Sequence, residues 1–267
     1  MKFVLQVINE QLKNVHLILR LAIYDIKGQY QLHYLGWLWQ FLNPVLQIAL
    51  YWFVFGFGIR RGSPVGDTPF LVWLLVGLIP WFFIGPAILQ GSNSIYSRVS
   101  LVSKMKFPVS ILPTTSIVTN SFNFLSMMLI LVVLLVINKI NAGLYLLQLP
   151  YYLFCLYVFL FSVCLLFSTI SIIVRDFQLL IQSGMRMVFF LLPIVWKIDN
   201  LPPLFVNILK LNPIFYLIEG FRHTILGGGW FFSELTYTAY FWSLTLFILF
   251  LGSFMHIKFR KKFVDYI

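Results

Sequence analysis

The chain has 267 residues, of which 60% are hydrophobic, 19% aromatic and only 10% charged. A soluble domain of this size does not need that much apolar surface, so the composition points to an all-α polytopic membrane protein, residues 1–267 forming one transmembrane domain. The formal net charge is +11, but the basic residues fall in short clusters between apolar runs. Membrane topology accounts for such clusters, and no nucleic acid partner is expected.

From residue 3 to about residue 27 the apolar residues Leu5, Ile8, Leu12, Val15, Leu19 and Ile26 recur at helical spacing, interrupted by Gln6, Asn9, Glu10, Lys13, Arg20 and Lys27. That is too polar for a span, and it is not a cleavable signal, since no small-residue cleavage site follows a short apolar core. It predicts a helix lying in the membrane interface, either as an anchor or as a gate or docking element.

Six spans are expected after it: Trp37 to Gly58, Phe70 to Leu89, Ile111 to Ile137, Leu144 to Val174, Phe177 to Trp196 and Tyr237 to Ile257. Trp37, Trp39, Tyr51 and Trp52 suit the membrane–water belts, and Pro44 is placed to kink the first span. Residues 90–108 carry Arg98, Lys104 and Lys106 and no acid. Phe107-Pro108 adds a rigid apolar anchor to that loop, of the kind that concentrates interface energy. Cys155 and Cys164 are nine residues apart in one helical run, on opposite faces, so they neither bridge each other nor offer metal spacing.

Between the fifth and sixth spans the pattern changes. Asp199-Asn200-Leu201-Pro202-Pro203 breaks the chain, a short amphipathic run follows, and Asn212-Pro213 restarts a helix with Asn as N-cap and Pro at its first position. Gly227-Gly228-Gly229 ends it. The two helices reach roughly 12 Å and 20 Å at 1.5 Å per residue, too short for a hydrocarbon core of about 30 Å. Residues 198–229 are therefore expected to form a re-entrant hairpin on one membrane face. With both termini inside, twelve Lys and Arg lie on the cytoplasmic side and six outside, Arg186 being within a span. The positive-inside rule then places the hairpin outside.

Catalytic chemistry is hard to find. No Gly-Lys pair of a phosphate-binding loop occurs, and the eight acids are dispersed, so no catalytic, cofactor or metal residues are assigned and the chain is not read as an enzyme. Glu219 and His223 stand at i, i+4 with Arg222 between them, the polar face of the hairpin helix. Arg186 lies about ten residues into the fifth span, where an arginine costs about 2.5–3.5 kcal/mol on insertion scales. Such residues face a bundle interior or a water-filled path. Arg186 is expected either to line such a path, with Trp39, Tyr51, Phe189 and Phe190, or to snorkel or pack against a helix partner such as Gln182.

Four stretches in series resemble one family. They are Tyr30-Gln31-Leu32-His33-Tyr34-Leu35-Gly36-Trp37-Leu38-Trp39, then Lys104-Met105-Lys106-Phe107-Pro108, then Arg175-Asp176-Phe177, and finally Leu211-Asn212-Pro213 with Glu219 and Phe221-Arg222. The pattern is similar to the permease subunits of ABC exporters for polysaccharides and teichoic acids, most of all to the wall teichoic acid branch of Gram-positive bacteria. The resemblance implies a homodimer with two copies of a separate ABC ATPase that holds ATP and Mg, this chain binding no cofactor. The implied substrate is an anionic wall teichoic acid polymer on undecaprenyl diphosphate, moved outward across the plasma membrane. It also implies roles for three segments: residues 1–35 as a cytoplasmic gate helix, 98–108 as the ATPase-coupling loop (Arg98, Lys104, Lys106, Phe107, Pro108), and 198–229 as an external gate (Pro213, Glu219, Arg222, His223). The alternative substrates are O-antigen or capsular polysaccharide, or a smaller lipid or drug. A membrane-embedded transferase or a non-transporting scaffold are the readings from other classes.

Overall fold

The structure is a computed structural model and describes residues 2–30, 34–59, 64–66, 68–98, 107–198, 201–260 and 263. Lys104 and Lys106 lie outside the described residues. The secondary structure among those described is helical apart from an isolated bridge between Val65 and Thr68. The helices are α1 (Lys2–Lys13), α2 (Val15–Tyr30), α3 (Trp39–Tyr51), α4 (Phe70–Asn93), α5 (Ile111–Ile137), α6 (Leu149–Ile173), α7 (Phe177–Leu191), α8 (Pro203–Lys210), α9 (Pro213–Leu226) and α10 (Leu235–Phe259).

The central element is α4, apolar on all sides and buried over most of its surface. It packs against α5, α6, α7 and α9. Contacts fix the directions of the helices. Phe83 stacks on Phe124 at 4.7 Å and Asn120 Nδ2 donates to Gln90 Oε1 at 2.8 Å, so α4 and α5 are antiparallel. Phe83 also meets Tyr157 at 5.5 Å, and Cys164 Sγ lies 3.4 Å from the Ala87 carbonyl oxygen, so α4 and α6 are parallel. Likewise α6 and α10 are parallel, joined by Trp242 Nε1 donating to the Tyr151 hydroxyl (3.1 Å) near their starts and by Thr169 and His256 (3.3 Å) near their ends.

Among the described residues, four helical segments are long and apolar enough to cross a membrane: Phe70–Asn93, Ile111–Ile137, Gly143–Ile173 and Leu235–Phe259. The expected first span is a composite, since α3 runs straight into a π-helix over Trp52–Ile59. The expected fifth span is cut short. Its helix, α7, has 15 residues and reaches roughly 22 Å, stopping at Leu191 instead of Trp196. Leu192 is extended (φ −78°, ψ 146°), as the residue before a proline prefers, because the Pro193 ring clashes with a helical predecessor.

The amino-terminal helix is divided at Asn14, whose side chain donates back to the Glu10 carbonyl at 2.8 Å. Val7, Ile18, Ala22 and Ile26 are buried, with α1 against α10 and α2 against α5. Of the stripe anticipated from spacing, only Ile26 turns inward. Leu5, Ile8, Leu12, Val15 and Leu19 are exposed, an apolar face suited to the membrane interface.

The hairpin is part of the packed bundle. The axes of α8 and α9 are bent by 100°. Asn212 caps α9 by accepting from the Ile214 N–H at 3.0 Å, and Gly227 ends it at φ 74°. The apolar face anticipated for α9 (Ile214, Leu217, Ile218, Phe221, Ile225) is buried. So is Arg222, expected on the polar face. Its Nη1 donates to the Pro193 carbonyl at 2.6 Å and to Glu219 Oε1 at 2.8 Å, and its Nη2 donates to the Ile194 carbonyl at 2.8 Å. The guanidinium lies 4.2 Å from the Trp73 ring centre. A Cβ on Gly77 would stand 2.7 Å from Nη2, so the glycine makes room for the charge.

Removing the guanidinium would strand two buried carbonyls and half-buried Glu219. Arg222→Ala is expected to cost at least about 3 kcal/mol, and Arg222→Lys to fail as well, because an ammonium cannot reproduce the fork. Thermal unfolding of the purified protein in detergent checks this. A lysine variant that melts with wild type would show that the fork is dispensable.

Candidate functional site: a substrate path

A cavity of about 660 Å³ opens between the end of α3, the second half of α4 and α7. Its walls include Tyr51, Trp81, Phe82, Phe189 and Phe190, with Arg186 among them. The rings brace one another: Tyr51 is 5.4 Å from Phe82 and 5.8 Å from Phe189, and Phe189 is 5.5 Å from Trp81 and 5.1 Å from Phe190. Tyr51 stands where the α-helix passes into the π-helix, a register change common at functional sites. Of the residues anticipated for the path, Tyr51, Arg186, Phe189 and Phe190 therefore come together. Trp39 does not; it stands at the start of α3, twelve residues or roughly 18 Å from Tyr51.

The other end of the cavity is polar. Gln178 Nε2 donates to the Leu89 carbonyl at 3.0 Å, and Ser92 Oγ donates to Gln178 Oε1 at 2.8 Å. Gln90 and Asn93 line this end and also line a second cavity of about 490 Å³. That second cavity is bounded by Asp25 and Gln29 of α2, by Ser97 and Arg98, and by Ser116 and Thr119 of α5. The two cavities therefore adjoin, sharing two amide side chains. One holds hydroxyl, amide and charged groups beside the amino-terminal helix, and the other holds aromatic faces and the exposed Arg186. Such a lining can stack on sugar rings, exchange hydrogen bonds with hydroxyls and hold an anion at Arg186. The polar cavity is not legible from residue spacing, because its residues come from four separate elements.

Of the expected coupling residues, Arg98 lines this second cavity. Arg98 is ion-paired with Asp25 of α2. Past the loop, Ser110 Oγ donates to Glu10 Oε2 at 2.7 Å, Gln11 Nε2 to the Ser110 carbonyl at 2.9 Å, and Thr114 Oγ1 to Gln11 Oε1 at 2.8 Å. Arg260, after α10, reaches Glu10 Oε1 at 2.7 Å. Both flanks of residues 98–108 are thus tied to the amino-terminal helix. Phe107 and Pro108 are half-buried, and Phe107 packs on a small cluster of Ile95, Leu112, Ile172 and Phe263, where four helix ends meet.

The residues anticipated for a gate lie at the opposite end of the bundle. Pro213 opens α9. Glu219 is held by Arg222, and its other oxygen is 4.0 Å from His223 Nε2. No group of three His, Cys, Asp or Glu able to hold a metal occurs among the described residues.

Residues 16–226 match the ABC-2 type transporter family. An O-antigen export system permease protein of Klebsiella pneumoniae is 26% identical over 237 residues, covering 88% of this chain and 90% of its own length. One from Myxococcus xanthus is 28% identical over 209 residues, covering 77% and 78%. A polysialic acid transport protein of Escherichia coli is 25% identical over 236 residues, covering 85% and 88%. These relatives are named for O-antigen and polysialic acid, where the motif resemblance pointed to teichoic acid. With four-fifths of its length matched and several membrane-crossing helices, the chain belongs to the ABC-2 type transporter family of membrane permeases.

Proposed function

We propose that this chain is the membrane subunit of an ATP-driven exporter that carries a lipid-linked polysaccharide outward across a bacterial plasma membrane. It works as a homodimer with two copies of a separate ABC ATPase, on which ATP and Mg reside. The observation that carries the reading is the pair of adjoining cavities, polar beside α2 and aromatic beside α7, with Gln90 and Asn93 lining both. The names of the relatives support an O-antigen or capsular polymer. A second reading, wall teichoic acid on undecaprenyl diphosphate, is favoured by the four motifs and by Arg186, which would meet phosphates in the path. Both termini are cytoplasmic by the distribution of Lys and Arg, which sets residues 1–35 and 98–108 inside as gate helix and coupling loop and 198–229 outside as gate.

Reconstitution with the partner ATPase tests the substrate. Lipid-linked polysaccharide is expected to stimulate ATP turnover and to become accessible to an outside glycosidase. Stimulation by poly(ribitol phosphate) or poly(glycerol phosphate) on the same carrier, and not by polysaccharide, would transfer the assignment to teichoic acid.

Arg186 is exposed in the single chain, so Arg186→Ala should change stability by no more than about 0.5 kcal/mol. Export should fall about tenfold or more with dimer assembly intact, and Arg186→Lys should keep part of it, as measured by export and size-exclusion chromatography. Wild-type export with alanine would remove Arg186 from the path.

Phe107→Ala is expected to separate ATP turnover from export or to release the ATPase, with at most a modest loss of stability from the small cluster it packs on. The Lys104→Ala/Lys106→Ala pair should weaken ATPase assembly chiefly by slowing association, a salt-dependent effect. Pull-down with the ATPase at two salt concentrations and ATPase assays decide it.

A further inference from the structure

A third cavity, of about 290 Å³, lies where α8, α9 and the start of α10 meet, at the far end of the bundle from the amino-terminal helix. We propose that it is a binding site for a neutral pyranose unit. With the orientation proposed above it faces outward. The inference rests on the polysaccharide-export reading for the origin of the sugar, whereas the binding chemistry belongs to the cavity itself.

Its walls combine aromatic faces with fixed hydrogen-bonding groups. The aromatic side comprises Tyr152, Tyr216, Trp230, Phe231 and Tyr237. The loop that presents Trp230 and Phe231 is held by one buried side chain. Gln148 donates through Nε2 to the Gly229 carbonyl at 2.9 Å, and its Oε1 accepts from the Phe231 N–H at 2.7 Å. Phe231 is stacked on Tyr151 at 4.1 Å, and the Tyr216 hydroxyl is bonded to those of Tyr151 (2.9 Å) and Thr238 (3.2 Å). These rings are in place before any ligand arrives, which limits the ordering cost of binding.

The polar side is equally constrained. Glu219 lines the cavity with one oxygen locked by Arg222 at 2.8 Å, while the other is 4.0 Å from His223 and outside hydrogen-bond range. An ionised carboxylate only accepts, so the open oxygen needs a donor such as a sugar hydroxyl. Tyr237 lines the same space, and its buried hydroxyl has no hydrogen-bond partner. Buried orphans of this kind are unfavourable unless something supplies the missing bond. The volume is close to the lower end of the roughly 300–1,000 Å³ typical of small-molecule sites, which suits one ring of a chain and not a whole repeat.

Charge selects among sugars. Glu234 is paired with Lys210 at 3.4 Å and Glu219 with Arg222, so each carboxylate lining the cavity already has its cation. Among the described residues no further Lys or Arg lines it, and His223, which does, stands 4.0 Å from the open Glu219 oxygen. A sialate, uronate or phosphate would face two carboxylates with no spare cation, whereas a neutral hexose offers hydroxyl donors and a C–H face for the rings.

Isothermal titration of the permease–ATPase complex in nanodiscs tests the site. The probes are hexasaccharides of mannose, glucose, galactose and N-acetylglucosamine, with the hexamer of sialic acid as the anionic control. At least one neutral hexamer is expected to bind, with the sialic acid hexamer about tenfold weaker or worse. Glu219→Gln should weaken the neutral hexamer about tenfold and Tyr237→Phe about threefold. Tyr237→Phe is isosteric, so it decides the matter if the glutamine variant fails to fold. No binding by any neutral hexamer, sialic acid binding as tightly, or unchanged affinity in the folded variants overturns the site. Export is scored separately in vesicles, so binding without export would sink the transport reading and leave the site standing.

Discussion

A helix broken inside a membrane bundle leaves carbonyls without partners, and hydrocarbon offers none. Here the break follows α7, and the forked guanidinium of Arg222 meets two of the freed carbonyls, those of Pro193 and Ile194. The rest of this end of the bundle depends on that contact. It draws α9 into the core, so that the helix buries nearly every face instead of lying on the surface. It requires Gly77 on α4, where a Cβ would collide with the guanidinium, and it sets the charge against the Trp73 ring. Glu219 then balances the charge from the same helix, three residues away. A buried cation is unfavourable on its own, but five donors arranged as a planar fork suit carbonyls and a carboxylate in a way an ammonium does not.

At the opposite end the same logic runs through smaller groups. Asp25 pairs with Arg98, and Glu10 is shared by Ser110 and Arg260. These contacts bind the amino-terminal helix to both flanks of the loop and to the last helix, while its exposed stripe of Leu5, Leu12 and Leu19 faces outward. Asp25 and Arg98 also line the polar cavity. A shift of the loop flanks would therefore be felt at the polar cavity without any intermediate, because the same side chains belong to both.

The sequence exposed what is local. Asn212-Pro213 and Gly227 marked the limits of α9, since capping chemistry is set by adjacent residues. The uncharged runs marked the long helices, and the cost of a charge singled out Arg186, now found in the cavity with Phe189 and Phe190. What depends on packing was hidden. Periodicity shows which residues share a face but not how many faces become covered, so Arg222 read as a polar surface residue, and the second, buried face of α1 and α2 (Val7, Ile18, Ala22) went unseen. The Pro193 break was visible as a proline, yet its effect on span length was not, because prolines at 80 and 86 sit within a continuous helix. The polar cavity draws on α2, α4 and α5 and the turn after α4, and no single stretch announces it.

The directions of the helices add a constraint that no local pattern contains. Since α6 and α10 are parallel, the chain between them must return across the bundle, and α7 is the helix that makes most of that journey. It is also the least suited to facing lipid alone. Leu179, Leu180, Met187, Phe190 and Leu191 are exposed on it, and so is Arg186. The apolar residues would tolerate hydrocarbon, but an arginine there costs about 2.5–3.5 kcal/mol even on insertion scales. Intramembrane arginines instead face a bundle interior or water. A second copy of the chain set against α7 would give Arg186 such a space and enclose the aromatic cavity. The homodimer proposed on family grounds is thus also the arrangement that the exposed charge on α7 favours.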